Sequence, residues 1–216
     1  MNDTLKATRL DFSLIKPYMK NICLTMAIPV AFAAINRSFM TGVSFAMSFI
    51  AMTAGYTFSI SEKNGMDRLY GILPISKKNL VLGRYLYTCL VGLLAFLFSI
   101  IVHPLVLMAL GTTVQPLDIC LATVLGIFMF TLYTVFQLPG YYKFGSINGR
   151  IFMYIPVVGF LAILLFVSKL DVTSNPVIAA LLGNPIASVF VLLLVCIIAY
   201  LISIVVSIKI IKKKEV

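Results

Sequence analysis

Six stretches of this chain run for 16 to 37 residues without a single Asp, Glu, Lys or Arg. A helix needs about 20 apolar residues to cross a bilayer. Hydrophobic residues make up 61% of the chain and charged residues 11%, whereas about a quarter of a soluble domain is charged. The pattern therefore predicts an all-α polytopic membrane protein. It excludes soluble enzymes and modules that bind nucleic acid.

The charge-free runs predict one transmembrane domain, 1–216, with six spans. The longest run, 172–208, is too long for one span and contains Asn175-Pro176 and Gly183-Asn184-Pro185, which interrupt helices. We therefore expect the last span to begin near residue 186, with 173–185 as a short outer segment. The expected spans are about 18–36, 39–60, 80–110, 117–138, 151–168 and 186–208.

The positions of the basic residues predict the orientation of these spans. Six spans place both termini on one side of the membrane, and that side carries 15 of the 17 Lys and Arg residues. Only Arg37 and Lys169 fall on the other side. Because cytoplasmic loops are enriched in Lys and Arg, we expect both termini in the cytoplasm. The net charge of +10 then reflects orientation, with anionic lipid headgroups as counter-ions, and not nucleic acid.

Residues 1–20 predict an amphipathic helix that lies in the inner headgroup layer before the first span. Its apolar side chains recur at helical spacing and its charges fall mostly elsewhere. The apolar set is Leu5, Phe12, Ile15 and Met19. A plain anchor that only fixes orientation fits the same pattern.

The cytoplasmic loop 61–78 carries the strongest local signals. Asn64 is suited to cap a short helix over 66–73, which Pro74 would end, and Ser76 is suited to cap the next helix. The short helix would have an apolar face, with Asp67 and Arg68 pointing elsewhere. That face comprises Met66, Leu69, Tyr70 and Leu73. Such a helix suits a groove on another protein, although an ordinary juxtamembrane loop fits equally.

The run Leu73-Pro74-Ile75-Ser76-Lys77-Lys78, followed by Val81, Arg84 and Tyr85 and preceded by Glu62-Lys63-Asn64-Gly65, resembles ABC-2-type transporter permeases. The resemblance is strongest to their short six-span group, and within it to permease subunits that export phenol-soluble modulins and antimicrobial peptides. It implies a homodimer with an N-terminal elbow helix over 1–20.

The resemblance also implies that 62–75 holds a coupling helix in contact with a separate ATP-binding-cassette ATPase. The residues expected at this contact are Glu62, Asp67, Arg68, Leu69, Tyr70 and Leu73. A smaller contact is expected at the loop 139–150, through Tyr141, Tyr142, Lys143 and Arg150. The chain has no Gly-Lys dipeptide and hence no P-loop. We therefore expect no enzyme activity and no cofactor in this chain, with ATP and Mg²⁺ bound by the partner ATPase.

The second span carries small and hydroxyl residues at helical spacing, which fit either a helix-packing face or a path between two copies of the chain. The predicted path residues are Thr41, Ser44, Ser48, Met52, Gly55 and Ser59, with Tyr154 of the fifth span opposite. Since the spans lack ionisable groups, we expect apolar or amphipathic cargo. His103, which precedes Pro104, is interpreted as a packing residue, and a single His cannot form a metal site.

Three other classes of protein share features with this chain. Ala27-x-x-x-Ala31 is similar to a motif of the six-span vitamin-binding subunits of energy-coupling-factor importers. A regulatory or immunity protein that uses the coupling loop only for assembly is a further alternative. An intramembrane protease is disfavoured because Gly42-Val43-Ser44 is followed by Phe45 and not by Gly. The sequence favours an exporter subunit in a bacterial cell membrane.

Overall fold

The computed structural model describes residues 3–66, 70, 75–159 and 185–214, with only the backbone of 185 and 186. Every regular element in these ranges is helical. The helices are α1 (Asp3–Ile15), α2 (Met19–Thr25), α3 (Ala27–Asn36), α4 (Phe39–Met52), α5 (Ala54–Lys63), α6 (Lys77–Ala109), α7 (Pro116–Asn148) and α8 (Pro185–Lys213). Two 3₁₀ turns lie at Lys16–Tyr18 and Gly149–Met153, and residues 155–159 are again helical.

Five stretches of the described chain are long and apolar enough to cross a membrane, which makes this a multi-pass membrane protein. They are Asp3–Asn36, Phe39–Lys63, Lys77–Ala109, Pro116–Gly159 and Ala187–Lys213. They overlap the predicted spans one, two, three, four and six, and Pro116–Gly159 also contains the first half of the predicted fifth span, 151–168. The second half of that span and nearly all of the outer segment 173–185 lie outside the described residues. The count of six spans stays a prediction.

Local sequence signals explain where several helices begin. Ser76 accepts a hydrogen bond from the backbone N–H of Asn79 at 3.3 Å, which confirms the predicted cap of α6. Ser38 caps α4 in the same way through Thr41. Arg37 ends α3 in the left-handed conformation, with φ 47°. Since only Arg37 and Ser38 separate α3 from α4, the two helices form a tight hairpin.

Helix α4 lies at the centre and packs against α3, α6 and α7. Its buried face includes Val43, Met47 and Ile50, which belong to the larger apolar cluster. A second cluster, built around Phe58, Tyr85 and the end of α7, packs against α8. This second cluster encloses the candidate site described below.

Two local predictions differ from the structure. The expected loop 139–150 is helical to Asn148, because α7 continues through Pro139 and breaks only at Gly145. A proline is tolerated inside a membrane helix when its neighbours satisfy the freed backbone groups. In α1 the side chains that bury are Ala7, Thr8, Asp11 and Ile15. Of the predicted apolar face, Leu5 and Met19 are exposed and Phe12 is partly buried.

Candidate functional site

Arg84, in the third turn of α6, is the centre of a polar network. Its guanidinium donates to both carboxylate oxygens of Asp11, with 3.2 Å to Oδ1 and 3.4 Å to Oδ2. It also donates to Ser61 Oγ at 3.1 Å and to Tyr70 Oη at 3.2 Å. Arg84 is 8% exposed and Asp11 is 3% exposed. A buried charge needs such a partner, and this one comes from a different helix.

The close approach of α1 to α6 depends on a glycine. A Cβ atom on Gly83 would lie 2.5 Å from the Cβ of Ala7, so only glycine fits there. Thr8 Oγ1 donates to the carbonyl oxygen of Gly83 at 3.1 Å. Small residues at a helix contact let the two backbones approach closely. This contact brings Asp11 within reach of Arg84.

Aromatic rings complete the surroundings of Arg84. Its guanidinium carbon lies 4.4 Å from the ring centroid of Phe58 and 6.0 Å from that of Tyr142. Phe58 in turn stacks on Tyr141 and meets Tyr142 edge to face. A cation over an aromatic face is attracted electrostatically, and more strongly where water is excluded. These rings connect Arg84 on α6 to both α5 and α7.

Glu62, near the end of α5, binds the residue that follows the break in α7. Its carboxylate accepts hydrogen bonds from the backbone N–H of Ser146, at 2.7 Å, and from the Ser146 hydroxyl. The preceding Gly145 has φ 79° and ψ −176°, a region that is almost restricted to glycine. A Cβ atom there would also lie 2.8 Å from Glu62 Oε1. The break in α7 and the carboxylate of Glu62 therefore fit each other.

A cavity of about 290 Å³ lies between these two groups of contacts. Its lining includes Ser61, Glu62 and Tyr70, together with the ends of α7 and α8, where Gly145 and Lys214 lie. The chain from 61 to 70 is thus attached at Glu62 to α7, and at Ser61 and Tyr70 to Arg84.

The predicted coupling residues divide into two groups. Asp67, Arg68, Leu69 and Leu73 lie outside the described residues. Glu62 and Tyr70 are described, and both make hydrogen bonds inside the chain. Tyr141 and Tyr142, expected at a second partner contact, are buried, so that expectation is wrong for them. Lys143 and Arg150 are exposed.

The predicted path residues of α4 and α5 lie largely opposite the face of α4 that packs into the protein. Thr41, Ser48, Met52 and Ser59 are partly buried, and Tyr154 is exposed. Ser44 and Gly55 sit at the edge of this face and are buried. The Ser44 hydroxyl donates to Met40 O of its own helix at 2.7 Å, and Gly55 has a packing role because it makes room for Tyr141. Whether the remaining face lines a path stays a prediction.

His103 is fully buried against Gly42 and Phe39. Among the residues that the structure describes, neither of its ring nitrogens has a hydrogen-bond partner. The same part of the chain contains no group of three side chains suited to hold a metal ion.

Comparison with protein families gives a match over most of the chain. The model of the ABC-2 family transporter proteins covers residues 9–212, nearly the whole chain. This chain belongs to the ABC-2 transporter family. Comparisons with curated proteins and with solved structures give no match.

Membership of the ABC-2-type permease family implies a membrane context and a partner ATPase subunit. The sequence predicted a functional role for the segment that begins at Glu62, but it did not identify Asp11, Ser61 or Ser146 as site residues. Their partners lie 23 to 84 positions away in the chain. The one available hint was Asp11 itself, an acid between the apolar residues Leu10 and Phe12.

Proposed function

We propose that this chain is the permease subunit of an ATP-binding-cassette exporter that moves amphipathic peptides or hydrophobic compounds out of a bacterial cell. Six spans with both termini in the cytoplasm place the 61–70 segment on the cytoplasmic side, where an ATPase is accessible. The ATPase binds ATP and Mg²⁺ and hydrolyses the nucleotide. The permease itself is not an enzyme.

The observation that carries this proposal is the double attachment of the 61–70 segment. Its Tyr70 and Ser61 bind Arg84 on α6, and its Glu62 binds Ser146 on α7. When an ATPase pushes on the segment between these attachments, the displacement reaches α1, α6 and α7 together. A loosely hanging loop would not transmit such a movement.

The cargo class is inferred from the charges. Arg84, at the inner end of α6, is paired with Asp11, so it offers no free charge to an ion. An apolar or amphipathic molecule fits such a path better than an ion does. A homodimer would place the partly exposed face of α4 and α5 opposite the same face of a second copy.

The association is tested by co-expression and co-purification with a candidate ATP-binding-cassette ATPase subunit. Arg68→Glu combined with Leu69→Asp alters the predicted contact and leaves Tyr70 in place, because Tyr70 is needed inside the permease. We expect these changes to abolish association while the permease remains in the membrane. Lys212→Glu, at the end of α8, is the charge-reversal control. Unchanged co-purification with the double variant would refute the coupling assignment.

Transport is tested with both subunits in liposomes and a fluorescent amphipathic peptide. We expect movement of the peptide that requires ATP and stops when the P-loop lysine of the ATPase is replaced. The family match over residues 9–212 disfavours the vitamin-importer alternative, although Ala27 and Ala31 are both exposed on α3. A neighbouring gene for a transmembrane coupling subunit, with vitamin uptake and no peptide export, would favour that alternative.

A further inference from the structure

An apolar groove of about 610 Å³ runs between α7 and α8, on the other side of α7 from the Arg84 network. The α7 wall extends from Val135 to Phe144 and the α8 wall from Ile202 to Lys213, with Phe152 between them. Phe152 stacks on Phe144, with ring centroids 5.3 Å apart, and packs against Gly140, where a side chain would collide with its ring. The turn that follows the break at Gly145 therefore supplies Phe152 as part of the groove lining.

The two helices run in the same direction. Ser203 donates to the carbonyl oxygen of Val135 at 2.9 Å. Further along both helices, Ile211 of α8 and Tyr141 of α7 both line the 290 Å³ cavity beside Arg84. The C-terminal ends of both walls thus lie at the same end of the groove. Lys143 and Lys213 stand at that end.

The polar side chains of the groove are concentrated at its mouth. Ser203 is buried, and its hydroxyl is already bonded to Val135 O and Tyr85 Oη. Among the described residues, the other polar lining side chains are Lys143 and Lys213, both exposed, and none of those lining the groove is Asp or Glu. The mouth therefore attracts an anion, and the rest of the groove accepts a hydrocarbon chain.

The length of the groove matches one leaflet of a membrane. From Ile202 to Lys213 a helix rises by about 16 Å, roughly half of the 30 Å hydrocarbon core. An occupant that fits has one negative headgroup at the lysines and an apolar chain of about one leaflet in length. A helix of a second copy would instead bury both ammonium groups against apolar surface.

We propose that this groove binds one anionic phospholipid, with its phosphate between Lys143 and Lys213 and an acyl chain along α8. Basic pockets between membrane helices bind anionic headgroups in this way. The site is separate from the 61–70 segment, although it includes Lys143 of the predicted second ATPase contact, and it does not depend on the nature of the cargo.

The test titrates phosphatidylglycerol into the detergent-purified full chain and counts bound lipid by native mass spectrometry, with phosphatidylcholine as the neutral lipid. Each basic residue beside an anionic lipid contributes a factor of about five. We therefore expect Lys143→Ala with Lys213→Ala to weaken phosphatidylglycerol binding about thirty-fold. Lys209→Ala with Lys212→Ala removes the same number of charges at the C-terminal end of α8 but outside the groove, and we expect less than a five-fold effect. Equal losses in the two pairs would overturn the proposal.

A second variant tests the apolar part of the site. Val206 is exposed in the groove wall, so Val206→Trp fills the groove without removing either lysine, and we expect it to displace the lipid. Retention of the lipid by this variant, or equally tight binding of glycerol phosphate, would refute an acyl-chain site. A change in oligomeric state with unchanged lipid binding would assign the groove to a second copy of the chain instead.

Discussion

Arg84 on α6 and Asp11 on α1 form an ion pair with two hydrogen bonds, although 73 positions separate them in the chain. The same guanidinium holds Ser61 and Tyr70. One side chain therefore connects the first helix, the span that begins at Lys77 and the segment that we assign to ATPase coupling. Any displacement of Tyr70 therefore changes the surroundings of the buried Arg84.

Replacing Arg84 by Leu should destabilise the permease strongly. The change leaves the Asp11 carboxylate buried without its partner, and breaking a buried pair in this way costs about 3–5 kcal/mol. The double variant Arg84→Leu with Asp11→Leu should be more stable than Arg84→Leu alone, because no unpaired charge remains. The chain has no Trp, so the loss of folded protein is best followed by size-exclusion chromatography after heating in detergent.

An exposed ion pair on α1, the helix that carries Asp11, provides the control for this prediction. Lys6 and Asp3 are 3.0 Å apart, and their side chains are 48% and 41% exposed. Lys6→Ala should therefore change stability by less than about 1 kcal/mol. If Arg84→Leu is no more harmful than Lys6→Ala, the buried pair does not hold α1 against α6.

Gly145→Ala should destabilise the chain more than the same change at Gly111. At both positions φ is positive, 79° and 74°, so alanine is strained in each. Only at Gly145 would the new Cβ atom collide with Glu62, because nothing lies within 4 Å of a Cβ at Gly111. A strained backbone costs about 1–3 kcal/mol, and the collision adds to it. Melting curves of the two variants compare the costs, and equal losses would argue against a role for Glu62.

The expected orientation can be tested with reporters that are active on only one side of the membrane. Alkaline phosphatase should be active when it is inserted after Arg37, Thr112 or Asp171. Green fluorescent protein should fluoresce when it is fused after Val216. A fluorescent fusion at the N-terminus together with a dark one at Val216 would indicate five spans and contradict the predicted span at 151–168.

Much of the helical fold is predictable from sequence, because a bilayer leaves the backbone few options other than helices. The charge-free run from Tyr85 to Leu117 predicts most of α6, and Ser76 predicts its start. The position of the break in α7 was not predictable in this way. Pro139 is the stronger breaker by its local chemistry, yet the helix breaks at Gly145, where Glu62 binds the freed N–H of Ser146.

The polar network around Arg84 could not be predicted from the sequence, for a different reason. Helical periodicity places Asp11 on one side of α1, but it contains no information about which helix α1 meets. Glu62 has the appearance of a solvated charge that is available to a partner, and its contact with Ser146 spans 84 positions. Pairings of this kind depend on tertiary packing. Here they depend on Gly83, whose lack of a side chain lets α1 approach α6 closely.

Tyr70→Phe should separate ATP hydrolysis from transport. The change removes the hydroxyl that accepts from Arg84 and keeps the ring, so the ATPase should still bind the coupling segment. A hydrogen bond to a charged group contributes about 1.5–3 kcal/mol, and without it the segment would move with less effect on α6. We expect fewer peptides transported per ATP hydrolysed in liposomes, with unchanged co-purification of the ATPase. Tyr56→Phe, an exposed tyrosine on α5, is the matched control. An equal transport ratio for the two variants would show that the Tyr70–Arg84 contact does not carry the coupling.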